Sequence, residues 1–345
     1  MAEKQTVQTV QTKELLKVLE KANVGIAQKE LLEQSASFVF TKNKIITFND
    51  EIFCAVNTDL KINAAIEAQP LLSVLKKIKD DEIEIWTEDN ELRIKGKKIQ
   101  TGIKLETQIN LPIDDIKFPE KYTKLSEDFC IACNLACLTA SKSLSDPLLM
   151  GVHINKERIE SCDNDRVTIC TLDKSTKIDA LIPAQNLLKI LRSTRDDAIV
   201  GIAKDDTGVH FKTKNDVMLA CRLIDEKFLD VSKFIPKEEG KLIHLPEQIN
   251  EILDRADVFS KDNVSLEKLI HISLKEGKLV ISSQNDSGWI RERAKTKYKG
   301  PDISFSINSD FMKDILKLSN QISIVDDVLL FKDEKSVHMI KLETE

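Results

Sequence analysis

The chain has 345 residues, 41% hydrophobic, 31% charged and 5% aromatic, which is too long for one ordinary core and suits two or three domains. No apolar run approaches the ~18–20 residues a membrane span needs, and the start Met1-Ala2-Glu3-Lys4-Gln5-Thr6 is polar, so a cytoplasmic protein with no membrane partner is expected. A net charge of −6 does not by itself suggest a nucleic-acid binder; positive charge would have to be concentrated on one surface.

The ten glycines and eight prolines are few, against disordered or Gly-rich nucleotide-loop architectures. Seven cysteines without small-scaffold spacing fit a reducing compartment. In chain order, apolar spacing predicts a leading helix from Glu14 to Ala22, carried by Leu15, Leu16, Val18 and Leu19, and a second helix around Leu71-Leu72-Ser73-Val74-Leu75. Lys117-Phe118-Pro119 opens a charged linker, Glu120-Lys121-Tyr122-Thr123. A helix from Phe129 to Ala140 follows, then alternating strands at Gly151 to Asn155, Arg158 to Ser161 and Val167 to Leu172. The next helix surrounds Leu187-Leu188-Lys189-Ile190-Leu191, and Lys233-Phe234-Ile235-Pro236 opens a second linker, Lys237-Glu238-Glu239-Gly240. A helix from Ile249 to Val258 precedes a hairpin, His271 to Leu274 turning at Glu276-Gly277 into Leu279 to Ser283, and the last helix covers Phe311 to Leu316.

These elements repeat. Ile103-Lys104-Leu105-Glu106 returns as Ile340-Lys341-Leu342-Glu343, with the related Cys221-Arg222-Leu223-Ile224 midway between them. The three mid-unit helices and the two Lys-Phe-(Ile)-Pro linkers keep the same spacing of ~115 residues. Three α+β domains with largely antiparallel sheets are expected, at residues 1–121, 122–240 and 241–345.

Cys130, Cys133 and Cys137 could suggest a metal or iron–sulfur site, or a thiol enzyme. Their spacing is also that of a helix face carrying Ala132 and Ala136, and no fourth ligand is near, so core packing is preferred. The five histidines, His153, His210, His244, His271 and His338, form no His-x3-His pair; His153 and His271 occupy similar, surface-facing strand positions. No Walker loop, Rossmann fingerprint or nucleophile elbow appears. Asp80-Asp81 and Asp326-Asp327 are read as solvated turns before metal ligands. The expectation is a protein that is not an enzyme, with no catalytic residues, metal or cofactor.

The order and spacing of several blocks resemble the bacterial DNA polymerase III β subunit family, the sliding clamps, from about Thr12 to Leu342. Leu149-Met150-Gly151-Val152 precedes a hairpin, and Cys162-Asp163-Asn164-Asp165-Arg166-Val167 stands where the family has Thr-Asp-Gly-His-Arg-Leu. Leu181-Ile182-Pro183-Ala184, Arg222-Leu223-Ile224-Asp225-x2-Phe228-x5-Phe234-Ile235-Pro236, Arg255-Ala256, Leu279 to Gln284 and Ile307-Asn308-x2-Phe311 follow. The resemblance implies three clamp domains with helices lining a channel and strands outside. It also implies a head-to-tail homodimer closed into a ring around double-stranded DNA, bound non-specifically and topologically, with a DNA polymerase and a clamp loader as partners.

Carried over residue by residue, the resemblance implies a partner-peptide groove of Leu149, Arg166, Val167, Leu229, Lys233, Phe234, Asn308, Phe311, Met339, Ile340 and Lys341. Taken alone, Val167, Phe234 and Ile340 also read as ordinary core residues. The ring seam is expected at Val258 and Phe259, against an edge region from Lys97 to Leu105. Departures from the pattern are Asn164-Asp165 for Gly-His, Leu229 for a usual proline, and the added Glu343-Thr344-Glu345, whose two carboxylates would repel acidic partner motifs. Such divergence suits a clamp encoded by a virus or mobile element.

If helices line a DNA channel, Lys17, Lys21, Lys76, Lys77, Lys142, Lys189, Arg192, Arg195, Lys313 and Lys317 would face it. Residues 69–79 and 184–195 are each +3 and residues 11–23 are +1, whereas residues 310–320 are neutral, 127–143 are −1 and 246–257 are −3. Weak, salt-dependent DNA contact is expected. The alternative is a clamp-fold scaffold or decoy that binds clamp partners without encircling DNA.

Overall fold

The leading helix α1 (Thr12–Ala22) buries Thr12, Leu15, Leu19 and Ala22, the i, i+3, i+4 stripe of an amphipathic helix. Thr12 anchors its start: the backbone N–H donates to the Asp81 carbonyl and the hydroxyl to the Asp80 carbonyl. In this computed structural model, which describes residues 7–113, 117–238, 240–261 and 268–343, the other helices are α2 (Ala68–Leu75), α3 (Phe129–Ala136), α4 (Ala184–Ser193), α5 (Ile249–Ala256) and α6 (Ser309–Leu316). None of the described helices is long and apolar enough to cross a membrane. The first six residues, Glu239, Thr344 and Glu345, all used in the sequence reading, lie outside the described residues.

The chain divides into two compact units. The first comprises Met1–Cys130, Ile154–Lys156 and Lys174–Glu226. Its twelve-stranded sheet runs Gln8–Gln11, Glu82–Glu88, Glu91–Lys95, Gln100–Glu106, Ala64–Glu67, Ser37–Thr41, Lys44–Phe48, Ile52–Asn57, Met218–Cys221, Val209–Thr213, Ile199–Lys204 and Thr123–Lys124. Its pairings are antiparallel, and helices α1, α2 and α4 pack together, α1 lying on strands Lys44–Phe48 and Ile52–Asn57. One core cluster is Val39, Ile46, Phe53, Ala55, Ala65 and Leu111.

The second unit comprises Ile131–His153, Glu157–Asp173 and Lys227–Glu345. Six consecutive strands lie wholly within it, in the order Arg158–Cys162, Arg166–Thr171, Ser336–Lys341, Val328–Lys332, Gln321–Val325 and Lys241–His244. A four-stranded sheet, Gly288–Lys295, Lys278–Asn285, Leu269–Lys275 and Ile303–Asn308, completes it. Alternate residues of those strands meet α5 and α6 in a core that includes Leu253, Ile272, Ile281, Phe305, Met312 and Ile340. The expected hairpin is present: Lys275 faces Lys278, and Glu276 and Gly277 both have positive φ (48° and 74°), as a two-residue type I′ turn requires.

The leading helices share a termination device. Each ends at an alanine whose carbonyl accepts a hydroxyl from a strand: Thr47 to Ala22 (2.6 Å), Ser161 to Ala136 (2.5 Å) and Ser283 to Ala256 (2.5 Å). This is also why α3 stops at Ala136 and not at Ala140. Thr139 donates to the same carbonyl, and the chain continues in tight turns.

Candidate partner groove and basic helix faces

Strand Arg166–Thr171 pairs antiparallel with the last strand, Arg166 opposite Ile340, Val167 opposite Met339 and Thr168 opposite His338. Arg166 begins its strand after a tight turn in which the Asp163 carboxylate accepts the backbone N–H groups of Asp165 (3.0 Å) and Arg166 (2.7 Å). The same carboxylate takes the guanidinium of Arg166 through Nε (3.0 Å) and Nη2 (2.8 Å). From α6, Asp314 accepts Nη1 at 3.4 Å, and the guanidinium carbon lies 3.8 Å from the centre of the Phe311 ring. The side chain is only 7% exposed, so the two carboxylates and the ring replace its water.

Behind it, the Thr168 hydroxyl and His338 Nδ1 are 2.5 Å apart. Burial, with help from the Arg166 charge, pushes the His338 pKa down to about 3. The unfolded chain therefore binds a proton that the native chain refuses between pH 6.5 and about 3. The stability this group contributes is complete above pH 6.5 and is lost as pH falls, by up to about 1.4 kcal/mol per pH unit. Urea unfolding at pH 7.5 and 5.5 should show the native chain losing about 1.4 kcal/mol more than a His338→Gln variant. Equal losses would remove His338 as the cause.

The expected groove residues divide by burial. Arg166, Phe311 and the paired residues Val167, Met339 and Ile340 belong to one connected patch, but Val167 and Met339 are buried and Ile340 lies in the core. The turn Val231–Phe234 packs on strands Arg158–Cys162 and Arg166–Thr171, leaving Phe234 52% exposed and Lys233 exposed. Leu149 and Leu229 are half-buried, and Lys341 is exposed. Asn308 caps α6, its side-chain oxygen accepting the Asp310 N–H at 3.0 Å. Glu343 exchanges backbone hydrogen bonds with Ser306. Sequence reasoning did not assign Asp163, Asp314, Thr168 or His338 to this site. A detectable signal was the carboxylate three residues before Arg166, at the reach of a turn, and a second one three residues after Phe311 on the same helix.

The helix cations fall into two groups. In the first unit, Lys77, Lys189, Arg192 and Arg195 are exposed with no carboxylate within 4.0 Å among the described residues; Lys189 lies in the middle of α4, Arg192 in its last turn, and Lys77 and Arg195 in the turns beyond α2 and α4. Lys17 pairs with Glu14 (3.1 Å) and Lys76 with Glu20 (3.2 Å), while Lys21 reaches the buried Asp197 at 3.2 Å. In the second unit, Lys142 is exposed, Lys313 sits between Asp254 (2.8 Å) and Asp257 (3.3 Å), and Lys317 holds Asp314 at 2.6 Å.

At the expected seam, Val258 is 67% exposed, while the Phe259 ring lies against Gly288 closely enough that a Cβ there would come within 2.9 Å of it. The facing region is only partly an edge. Strand Gln100–Glu106 pairs with Glu91–Lys95 along residues 100–104, and Leu105 and Glu106 pair with Ile66 and Ala65 on the other side. Leu105 is thus interior, and the open stretch is Gln100–Lys104.

Cys133 and Cys137 are buried and Cys130 is half-buried, where burial raises its thiol pKa. They pack as small core residues. Asp80 and Asp81 cap α1 through their carbonyls, and Asp326 takes φ 51° in the turn between paired Val325 and Val328. His153 and His271 are half-buried, the first 5.0 Å from the Phe228 ring.

The profile of the family described as DNA polymerase III beta subunit, C-terminal domain, matches residues 232–341. A beta sliding clamp of Pseudomonas putida is 23% identical over 176 residues, covering 49% of this chain and 47% of the relative, so that match spans about half the length of the relative. A beta sliding clamp of Rickettsia bellii is 20% identical over 340 residues, covering 89% of each chain. The crystal structure of the DNA polymerase III beta chain of Streptococcus pneumoniae superposes with a TM-score of 0.83 at 18% identity, covering 98% of this chain and all of the other. With antiparallel sheets and six helices among the described residues, the chain has the α+β sliding-clamp fold nearly end to end, and its residues 232–341 are similar to the C-terminal domain of the DNA polymerase III β subunit.

Proposed function

We propose that the protein is a non-catalytic processivity factor with three clamp domains at residues 1–121, 122–240 and 241–345. Two chains close head to tail into a ring around duplex DNA in the cytoplasm, set there by a loader. The ring tethers a polymerase and other partners through the groove beside Arg166. The observation that carries this reading is the set of exposed, unpaired cations among the described residues, Lys77, Lys189, Arg192 and Arg195, in a chain of net charge −6. Arg192, Lys77 and Arg195, at or just beyond helix C-termini, suit the helix dipole, and all four cations suit a phosphate backbone, which they hold without reading bases. Phe234 and the half-buried Leu149 and Leu229, rimmed by Lys233 and Lys341, suit an extended peptide with apolar anchors.

Protein loaded on nicked circular duplex should stay bound through gel filtration in high salt and be released when the circle is cut. Equal loss from circles and linear DNA would reject encirclement. Sedimentation equilibrium should give twice the 39.0 kDa chain mass. Phe259→Asp and Val258→Asp should each weaken that dimer at least about thirtyfold, the effect of deleting an interface anchor; an unchanged mass would remove these residues from the seam. A second reading, a scaffold or decoy that binds clamp partners without encircling DNA, is favoured by the neutralised second-unit cations. Lys313 and Lys317 face aspartates, and Arg255 is held by Glu292 at 2.7 and 2.9 Å. It predicts monomers that still bind partner peptide.

A further inference from the structure

The turn that aims Arg166 has a counterpart in the first unit. There the Asn49 side-chain oxygen accepts the N–H groups of Glu51 (3.2 Å) and Ile52 (2.8 Å), as Asp163 does for Asp165 and Arg166. Arg222 N–H donates to the Glu51 carbonyl at 3.0 Å, as Lys341 N–H donates to that of Asp165 at 2.7 Å. The strand frame is thus repeated, with Ile52 opposite Cys221 where the other unit has Arg166 opposite Ile340.

The side chains over this frame are predominantly acidic. Beside it opens a groove of about 640 Å³ walled by Leu32, Phe48, Phe53, Pro112 and Ala220. The Phe48 and Phe53 rings are 6.2 Å apart and Phe118 packs edge-on to Phe53 at 5.1 Å, so the floor is aromatic. Four carboxylates, Asp50, Glu51, Asp206 and Asp225, line it against one guanidinium, Arg222, which is already held by Asp50 at 2.6 Å. Glu51 accepts the Asn186 amide at 2.6 Å. Asp206 and Asp225 are exposed and have no ion-pair partner among the described residues.

We infer that this first-unit groove is a second docking site, taking an extended peptide with alternating basic and large apolar side chains. The aromatic floor takes the apolar residues and favours cations over its ring faces. The two unpaired carboxylates take the basic ones, so an acidic peptide is repelled here. The site does not depend on the ring or on DNA.

The test uses two fluorescein-labelled nonapeptides, one alternating Lys with Leu and Phe, the other its Glu-for-Lys counterpart, followed by anisotropy on the full chain. The Lys peptide should bind at least about tenfold tighter than the Glu peptide. Asp206→Lys with Asp225→Lys should abolish that preference, and Ala220→Phe, which fills the groove, should weaken binding by a similar factor. Neither change touches the Arg166 groove. Binding of the Lys peptide that survives both variants, or that responds to charge but not to Ala220→Phe, would overturn the inference and leave only attraction to an acidic surface.

Discussion

Arg166→Ala should cost the second unit about 3–5 kcal/mol, the loss found when one partner of a buried ion pair is removed. The change strips the bidentate partner from Asp163 and the Nη1 donor from Asp314, whose side chains are only 15% and 19% exposed. It also uncovers the face of Phe311. Arg166→Lys keeps the charge but offers neither a planar fork nor a stacking surface, so it should recover less than half of the loss. Asp314→Ala should cost much less, about 1 kcal/mol, because its contact with Arg166 is long, Asp163 still satisfies the guanidinium, and the exposed Lys317 ammonium it also holds can turn to water. Urea unfolding of the three variants checks the ranking. If Arg166→Ala and Asp314→Ala came out alike, the doubly bonded Asp163 could not be the principal partner.

The same site shows what the sequence could and could not disclose. Helix periodicity located the six helices of the described residues because a buried stripe is a local property: Leu15 and Leu19, Leu187 and Ile190, Ile252 and Ala256 all lie where their spacing put them. The end of α3 was missed because Cys137 and Ala140 continue the apolar rhythm. What stops the helix is a hydroxyl on a strand, Ser161, which no local pattern announces. Leu105 was assigned to an edge because alternation identifies a strand but not its neighbours. Val167 and Ile340 face inward and Phe234 faces water, a difference that apolar character alone does not encode. Arg166 could be named from its motif, yet Asp314 and His338 meet it only through pairing between strands far apart in the chain.

Charge counting along helices met the same limit. Residues 11–23 carry a net +1, which suggests a modest attraction for phosphate. The structure distributes that charge unevenly: Lys17 is exposed and pairs with an equally exposed glutamate, whereas the Lys21 ammonium is turned to a buried carboxylate and is 27% exposed. An exposed pair is worth little and exchanges readily with a phosphate. A lysine bound to a buried aspartate does not. Lys21 therefore belongs to the architecture of the first unit, while Lys77, Lys189, Arg192 and Arg195 remain available.

Replacing that buried carboxylate should be the most damaging polar change in the first unit. The Asp197 side chain is 1% exposed and receives three donors: Lys21 Nζ at 3.2 Å, the Thr213 hydroxyl at 3.0 Å and the Asn215 N–H at 3.1 Å. It ties α1 to the turn after α4 and to the end of strand Val209–Thr213. Asp197→Ala leaves the Thr213 hydroxyl and the Asn215 N–H without their acceptor, and Lys21 must swing out to water. Because that lysine can reach solvent, the expected loss is about 3 kcal/mol, toward the lower end for buried pairs. Lys21→Met should cost as much or more, since the carboxylate it strands cannot leave the interior. The double variant Lys21→Met with Asp197→Leu should recover part of the loss through apolar packing, so the two single costs will not add. Chemical denaturation of the four proteins decides it. Additive losses, or a loss below about 1 kcal/mol for Asp197→Ala, would mean that the pair is not what secures α1 and would return Lys21 to the available surface cations.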